Sequence, residues 1–223
     1  MSSIIPRPAV LSAAAGQAAV GLYIWRMGPL GPIPAHFGFD GQIDRWGDRT
    51  ESATLIGGMA LLTLIGGAAL GWSARRKEAD TARKRGLSVA QGVLIAATSA
   101  VVALHLAMAT LGSSGVIPPE RLSLLGICVI FMIVGAVIGK VAPNALVGVR
   151  TPWSLTSRLS WEKSNRLGGR LIFWIGLIGL FLAPIAPEPL GHRVLTASVL
   201  LAAAYTVFES WRVWRSDPER HTV

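Results

Sequence analysis

Between Arg121 and Lys140 the chain reads LSLLGICVIFMIVGAVIG, residues 122–139, with no charge and no proline. A helix needs about 20 apolar residues, with roughly 17 as a lower limit, to cross the hydrocarbon of a bilayer. These 18 residues meet that limit. Five more uncharged runs surround them, at 8–25, 52–74, 86–119, 171–187 and 194–208. The last is short, but Glu209 and Arg212 can snorkel to the interface and extend it. Run 86–119 exceeds one crossing. Its end, Gly112-Ser113-Ser114-Gly115-Val116-Ile117-Pro118-Pro119, is turn-forming, so the third span is expected to stop near Leu111. No run alternates with period two, which argues against a β-barrel. Helices then satisfy every backbone donor inside lipid. The expectation is an all-α integral membrane protein with six transmembrane helices.

Composition agrees. Of 223 residues, 52% are hydrophobic and only 15% charged, against roughly 25% charged in soluble domains. The net charge of +9 does not point to nucleic acid, because the bases sit in short connectors between apolar runs. A single cysteine, Cys128, leaves no intrachain disulfide and reads as buried apolar filler. The first run ends Tyr23-Ile24-Trp25-Arg26 without a small-residue cleavage pattern and is read as an uncleaved span rather than a signal peptide.

Orientation follows from the bases. Arg7, the connector 73–88 (Arg75, Arg76, Lys77, Arg83, Lys84, Arg85), the region 140–170 (Lys140, Arg150, Arg158, Lys163, Arg166, Arg170) and the tail (Arg212, Arg215, Arg220) place 16 on one side. Arg26, Arg45, Arg49, Arg121 and Arg193 place 5 on the other. The positive-inside rule puts the first group and both termini in the cytoplasm. Trp25, Trp72, Trp211 and Trp214 lie at span ends, where indole favours the headgroup zone. The chain divides into residues 1–74 with two spans and an outer loop 26–52, residues 75–121 with the third span, and residues 122–223 with spans four to six and an inner loop 143–170.

The outer loop contains Ile33-Pro34-Ala35-His36-Phe37-Gly38-Phe39-Asp40-Gly41-Gln42-Ile43-Asp44-Arg45-Trp46-Gly47. Asp40-Gly41 is a two-residue turn signal with positive φ at both positions, predicting a short hairpin with His36 to Phe39 facing Gln42 to Arg45. His36, Asp40, Asp44 and Asp48 are ligand types for a divalent ion. Alternate residues of a hairpin face opposite ways, so they need not converge, and no metal is expected.

The inner loop opens with a Gly/Pro-punctuated stretch, and Pro152 biases Thr151 away from helix. From about Ser157 a helix is predicted. At 100° per residue Trp161, Asn165, Gly168 and Ile172 share one stripe, and Lys163, Arg166 and Arg170 lie opposite. This amphipathic helix before span five reads either as interfacial or as a recognition surface for a cytoplasmic partner or lipid headgroups. Gly57-Gly58, Gly66-Gly67 and Gly168-Gly169 would permit close helix approach. His105 and Gln17 are the polar groups inside spans that a transporter would use.

Two segments carry a resemblance. Asn144, Gly148-Val149-Arg150-Thr151-Pro152-Trp153-Ser154-Leu155, then Trp161, Lys163, Asn165-Arg166 and Gly168-Gly169, resemble the signature of the SdpI family of bacterial membrane immunity proteins. Pro34, His36, Phe37, Gly41, Asp44 and Trp46 resemble a small domain of unknown function that often forms the amino-terminal half of that family. The resemblance implies a multi-pass protein of the bacterial cytoplasmic membrane. Its best-known member protects the host from a secreted toxic peptide and holds a transcriptional repressor at the membrane. Relatives often carry Asn and acidic residues after Leu155, whereas this chain has Thr156-Ser157-Arg158, and surface charge sets which partner is accepted. The expected function is immunity, with a toxic peptide outside, a repressor inside and the bilayer as partners, and small-solute transport as the alternative. No constellation of acids, bases or nucleophiles has motif spacing, so neither catalysis nor a cofactor is expected.

Overall fold

The computed structural model describes residues 5–76, 81–141, 143 and 147–220. Six of its helices are long and apolar enough to cross a membrane. They are α1 (Arg7–Met27), α2 (Arg49–Arg75), α3 (Thr81–Ala107), α4 (Pro119–Ile138), α6 (Arg158–Leu182) and α7 (Leu190–Ser216). A hairpin of β1 (Ile33–Phe37) and β2 (Ile43–Gly47) joins α1 to α2, and a one-turn helix α5 (Pro152–Thr156) precedes α6. The chain is a multi-pass membrane protein by these spans. Its helices alternate in direction, so one end carries the hairpin and the other carries the basic connectors.

Local chemistry sets the element ends. Asp48 caps α2 by accepting from the backbone N–H groups of Thr50 and Glu51, both at 2.8 Å, which removes two of the donors a helix start leaves unpaired. Pro119 occupies the first turn of α4, where a missing N–H costs nothing. The third span ends as the sequence predicts: α3 gives way to a π-helical turn, Met108–Gly112. Ile24 of α1, Ile33 of β1, Ile56 of α2, Val102 of α3, Met108 and Leu122 of α4 form one buried cluster at the hairpin end. Leu61, Ile65, Ile178, Phe181 and Leu201 are exposed on the spans and face the lipid.

Lipid tails are as apolar as leucine, so spans associate through close packing and polar contacts rather than through expulsion of water. Helices α1, α2 and α3 pack together, α6 packs on both α4 and α7, and α3 meets α4. Among the first three, Gln17 of α1 donates to Thr98 at 3.1 Å and to Ser99 at 3.0 Å, while Thr63 of α2 meets Thr98 at 2.7 Å. Gln91 of α3 donates to the Gly67 carbonyl of α2 at 2.8 Å. Between α4 and α6 the contact is backbone on backbone. A Cβ on Gly135 would overlap the Phe173 nitrogen and lie 2.7 Å from the Gly169 oxygen, and one on Gly176 would lie 2.6 Å from the Cys128 oxygen. Of the glycine pairs singled out in the sequence, Gly169 sits at this crossing and Gly168 faces Thr206 of α7, while Gly57 and Gly58 meet nothing within 4 Å. His105 bonds the Val101 carbonyl one turn back, at 3.0 Å.

The four terminal tryptophans each lie beneath a guanidinium: Arg26 over Trp25, Arg76 over Trp72, Arg215 over Trp211 and Arg220 over Trp214, with separations of 4.0–5.1 Å. A cation on an aromatic face gains from the ring quadrupole, so each pair is an amphipathic anchor at headgroup level.

Candidate functional site

The two ends of α7 hold the two segments that the sequence singles out. At the basic end, Gly148 has φ +131°, open to glycine and strained for other residues. Its bare Cα lets the loop pass over α6, since a Cβ would lie 2.6 Å from Asn165 Oδ1 and 2.8 Å from the Trp161 ring. Trp161 is fully buried and donates from Nε1 to the Val141 carbonyl at 2.9 Å. Asn165 accepts from the Val149 N–H at 2.6 Å and donates to the Trp161 carbonyl at 3.0 Å. A buried amide must be paired, so this asparagine fixes the loop to the helix as firmly as it fixes itself.

Extended backbone at Thr151 (φ −85°, ψ 159°) starts α5, as Pro152 predicts. Thr151 Oγ1 accepts from Ser154 N–H at 3.1 Å, and Ser154 Oγ accepts from Thr151 N–H at 2.9 Å, a reciprocal cap. The helix α7 closes the arrangement. Ser210 Oγ meets Thr151 Oγ1 at 2.8 Å and the Ser210 carbonyl accepts from Ser160 Oγ at 2.6 Å. Past the helix end, Asp217 accepts from Ser157 Oγ. That bond, with a backbone N–H from Glu219, holds the Asp217 carboxyl below its ordinary value of 3.8. The stabilisation is therefore present above that ordinary value and is lost only as pH falls through the lowered one.

The signature residues thus divide. Gly148, Thr151, Trp161, Asn165 and Gly168 build the clamp, and Gly169 packs on α4. Arg150, Pro152, Leu155, Lys163 and Arg166 are exposed, and Trp153 is half-buried. Asn144 lies outside the described residues. The amphipathic segment is not a separate interfacial helix: it is the first half of α6, continuous with span five, with its apolar stripe docked under the loop and α7. Ser154, quoted within the signature, is buried in the clamp, and the clamp residues that sequence reading missed are Ser157, Ser160, Ser210 and Asp217. The spacing 154, 157, 160 is a capping signal in retrospect.

At the hairpin end, β1 and β2 pair with Ile33 opposite Gly47, His36 opposite Arg45 and Phe37 opposite Ile43. The Asp40-Gly41 expectation needs correction in detail. Only Gly41 has positive φ, +79°, and the connection runs from Gly38 to Gln42, closed by Gly38 N–H on the Gln42 carbonyl at 2.9 Å. Asp40 prefers to accept from the Gln42 N–H at 3.1 Å, an Asx turn, which lengthens the loop and bulges the register. His36 and Asp44 pair at 2.6 Å on the exposed side. With Asp48 and Asp40 bonded to backbone, the four candidate ligands do not converge. Pro34 is buried, Phe37 packs on the core cluster, and Trp46 and Phe39 are exposed, Phe39 at 92%.

The hairpin tip rests on α7. Gly41 sits on the His192 imidazole, where a Cβ would overlap the ring, and Thr196 Oγ1 donates to the Phe39 carbonyl at 3.0 Å. His192 is 4% exposed. Its Nδ1 meets Glu188 Oε2 and its Nε2 meets Ser123 Oγ of α4, both at 2.8 Å. Ser, His and Glu in this order have the spacing of a nucleophile, base and orienting acid. Ser123 is only 2% exposed and its hydroxyl also reaches the Glu120 carbonyl at 2.8 Å. The group ties α4, α7 and the hairpin together. Gly41→Ala is expected to lift the tip off α7. A side chain at this φ costs about 1–2 kcal/mol before the clash with His192 is counted. A cysteine at Thr196 should then react faster with a water-soluble maleimide; unchanged reactivity would mean the tip does not need this seat.

Residues 140–210 match the model of the SdpI/YfhL protein family, a stretch running from the foot of α4 to the Ser210 clamp. No curated protein and no solved structure matches the chain.

Proposed function

For a chain whose residues 140–210 match the model of the SdpI/YfhL protein family, we propose a role in immunity: protection of a bacterial cell against a secreted peptide toxin from within the cytoplasmic membrane. In this reading the hairpin faces outward and the basic end, with both termini, faces the cytoplasm. The asymmetry of 16 bases against 5 supports that orientation. The chain acts as a receptor rather than an enzyme.

The observation that carries the proposal is α7. Its first turns seat the hairpin through His192 and Thr196, and its last turns hold the basic-end loop through Ser210 and Asp217. A helix of 27 residues spans about 40 Å, so one rigid element joins the two faces. An amphipathic peptide meets exposed Phe39 and Trp46 beside the His36–Asp44 pair, aromatic anchors of the kind that dominate binding surfaces. Displacing the tip from His192 shifts α7 and, with it, the loop presenting Arg150, Leu155 and Lys163. That loop is where a cytoplasmic repressor docks in the signalling half of the proposal.

Deleting the gene should sensitise the cell to peptide toxins made by kin or neighbouring strains. The intact chain should restore resistance, and Phe39→Asp or His36→Ala should not. Arg150→Ala should restore resistance yet release the regulator that otherwise sediments with the membrane fraction. Unchanged sensitivity on deletion, across a panel of such peptides, removes the immunity reading.

A further inference from the structure

A cleft of about 1240 Å³ opens between α3, α4 and α6 at the basic end. Its lining follows a rule that three separate helices obey. Arg85 is the last charge before the uncharged run of α3, Lys140 the first after that of α4, and Arg170 the last before that of α6. Each therefore marks the level at which its own helix enters hydrocarbon, and all three line this one cleft, joined by Arg166. One helical turn deeper on the same helices come Val89, Ala136, Phe173 and Trp174, which also line it. Trp174 is 55% exposed. A turn is about 5.4 Å, so a charged rim sits directly above an apolar wall.

The charge at the rim is unbalanced. Among the described residues lining the cleft, Glu162 is the single acid, and it is engaged by Arg158 at 3.0 Å. Arg85, Lys140, Arg166 and Arg170 are all exposed. Guanidinium groups pair with phosphate oxygens through two parallel N–H bonds, and lysine adds a mobile point charge. The volume exceeds the roughly 300–1,000 Å³ of small-molecule pockets, and the apolar wall has no use for a free anion. Basic pockets between spans at headgroup level suit anionic lipid headgroups.

We infer that this cleft binds an anionic phospholipid of the adjoining leaflet. Arg85, Lys140, Arg166 and Arg170 hold the phosphate, and Val89, Phe173 and Trp174 take the upper acyl chain. The site lies on the α4–α6 side of the bundle, away from the hairpin seat on α7, and its occupancy would brace α3 against α6 across a region where the structure has no side-chain bridge between charged groups of the described residues.

The full chain, purified in detergent, tests this by native mass spectrometry with phosphatidylglycerol and phosphatidylcholine of matched acyl chains. Phosphatidylglycerol adducts should be favoured by about tenfold or more, given roughly 1 kcal/mol per basic group near a headgroup. Arg85→Gln with Arg170→Gln should cut the preference by about tenfold or more, and Trp174→Ala should weaken retention of phosphatidylglycerol. If that double variant fails to fold, Lys140→Gln with Arg166→Gln reports on the same rim. Arg150→Gln with Lys163→Gln removes equal charge outside the cleft and should leave the preference intact. Three results would overturn the inference: equal binding of the two lipids by the unaltered chain, equal loss in the charge-matched control, or displacement of phosphatidylglycerol by inorganic phosphate or glycerol phosphate at millimolar concentration, which would assign the rim to a free anion.

Discussion

Trp161→Ala is expected to destabilise the protein by about 3–5 kcal/mol, the range for removing a fully buried large aromatic. The indole is enclosed by the loop on one side and α6 on the other, with Gly148 over its ring and the Val141 carbonyl on its Nε1. Truncation leaves both a cavity and a buried carbonyl without its donor. The loss should concentrate at the basic end: residues 148–157 should exchange amide hydrogens as an unprotected loop while α1, α2 and α3 stay protected. Trp161→Phe separates the two contributions. It keeps most of the ring and loses only the N–H, so about 1–3 kcal/mol should go, the cost of a buried acceptor left unpaired. Chemical denaturation in mixed micelles measures both. An alanine variant within about 1 kcal/mol of the unaltered chain would mean that the loop is not anchored by this ring.

Gly135→Leu is expected to have the second large effect, by separating α4 from α6. The atoms that a Cβ would meet at Gly135 are backbone atoms of Gly169 and Phe173, which cannot swing aside as the end of a side chain can. Overpacking typically costs about 1–3 kcal/mol. Here the whole helix pair must move, so the loss should reach or pass the top of that range. Gly135→Ala should fall between. Gly58→Leu is the control, since nothing lies within 4 Å of that position and the added side chain meets lipid. Melting of a detergent-solubilised sample should rank the variants Gly58→Leu, Gly135→Ala, Gly135→Leu in order of increasing loss. Equal losses at Gly58 and Gly135 would contradict backbone-close packing at this crossing.

The spans were legible because membrane insertion is a local property: an uncharged run of sufficient length carries its own reason to be helical. The buried stripe of α6 was legible for a similar reason, since Trp161, Asn165 and Gly168 recur at helical spacing and do line the buried side. The hairpin was half legible. Gly41 marks the turn, but the competition for Asp40 between turn geometry and an Asx bond is decided by a hydrogen bond that the dipeptide does not reveal. Helix α5 escaped because five residues are too few to show a period. The contacts that matter most at both ends of α7 escaped for a deeper reason. Ser123 and His192 lie 69 residues apart, Thr151 and Ser210 59, Ser157 and Asp217 60. A lone polar residue in an apolar helix carries no sign of its partner. His192 and Glu188 fall in the short connector between two uncharged runs, and only the packing of α4 beside α7 gives them a role.

The proposed role requires the hairpin seat and the Trp161 clamp to lie on opposite faces of a membrane, joined by α7. In a Cys128→Ala background, single cysteines at Phe39 and at Arg150 place a reactive thiol on each exposed segment. A membrane-impermeant maleimide added to intact cells should label Phe39→Cys and leave Arg150→Cys untouched until the membrane is permeabilised. Labelling of Arg150→Cys in intact cells, or of both positions alike, would contradict it.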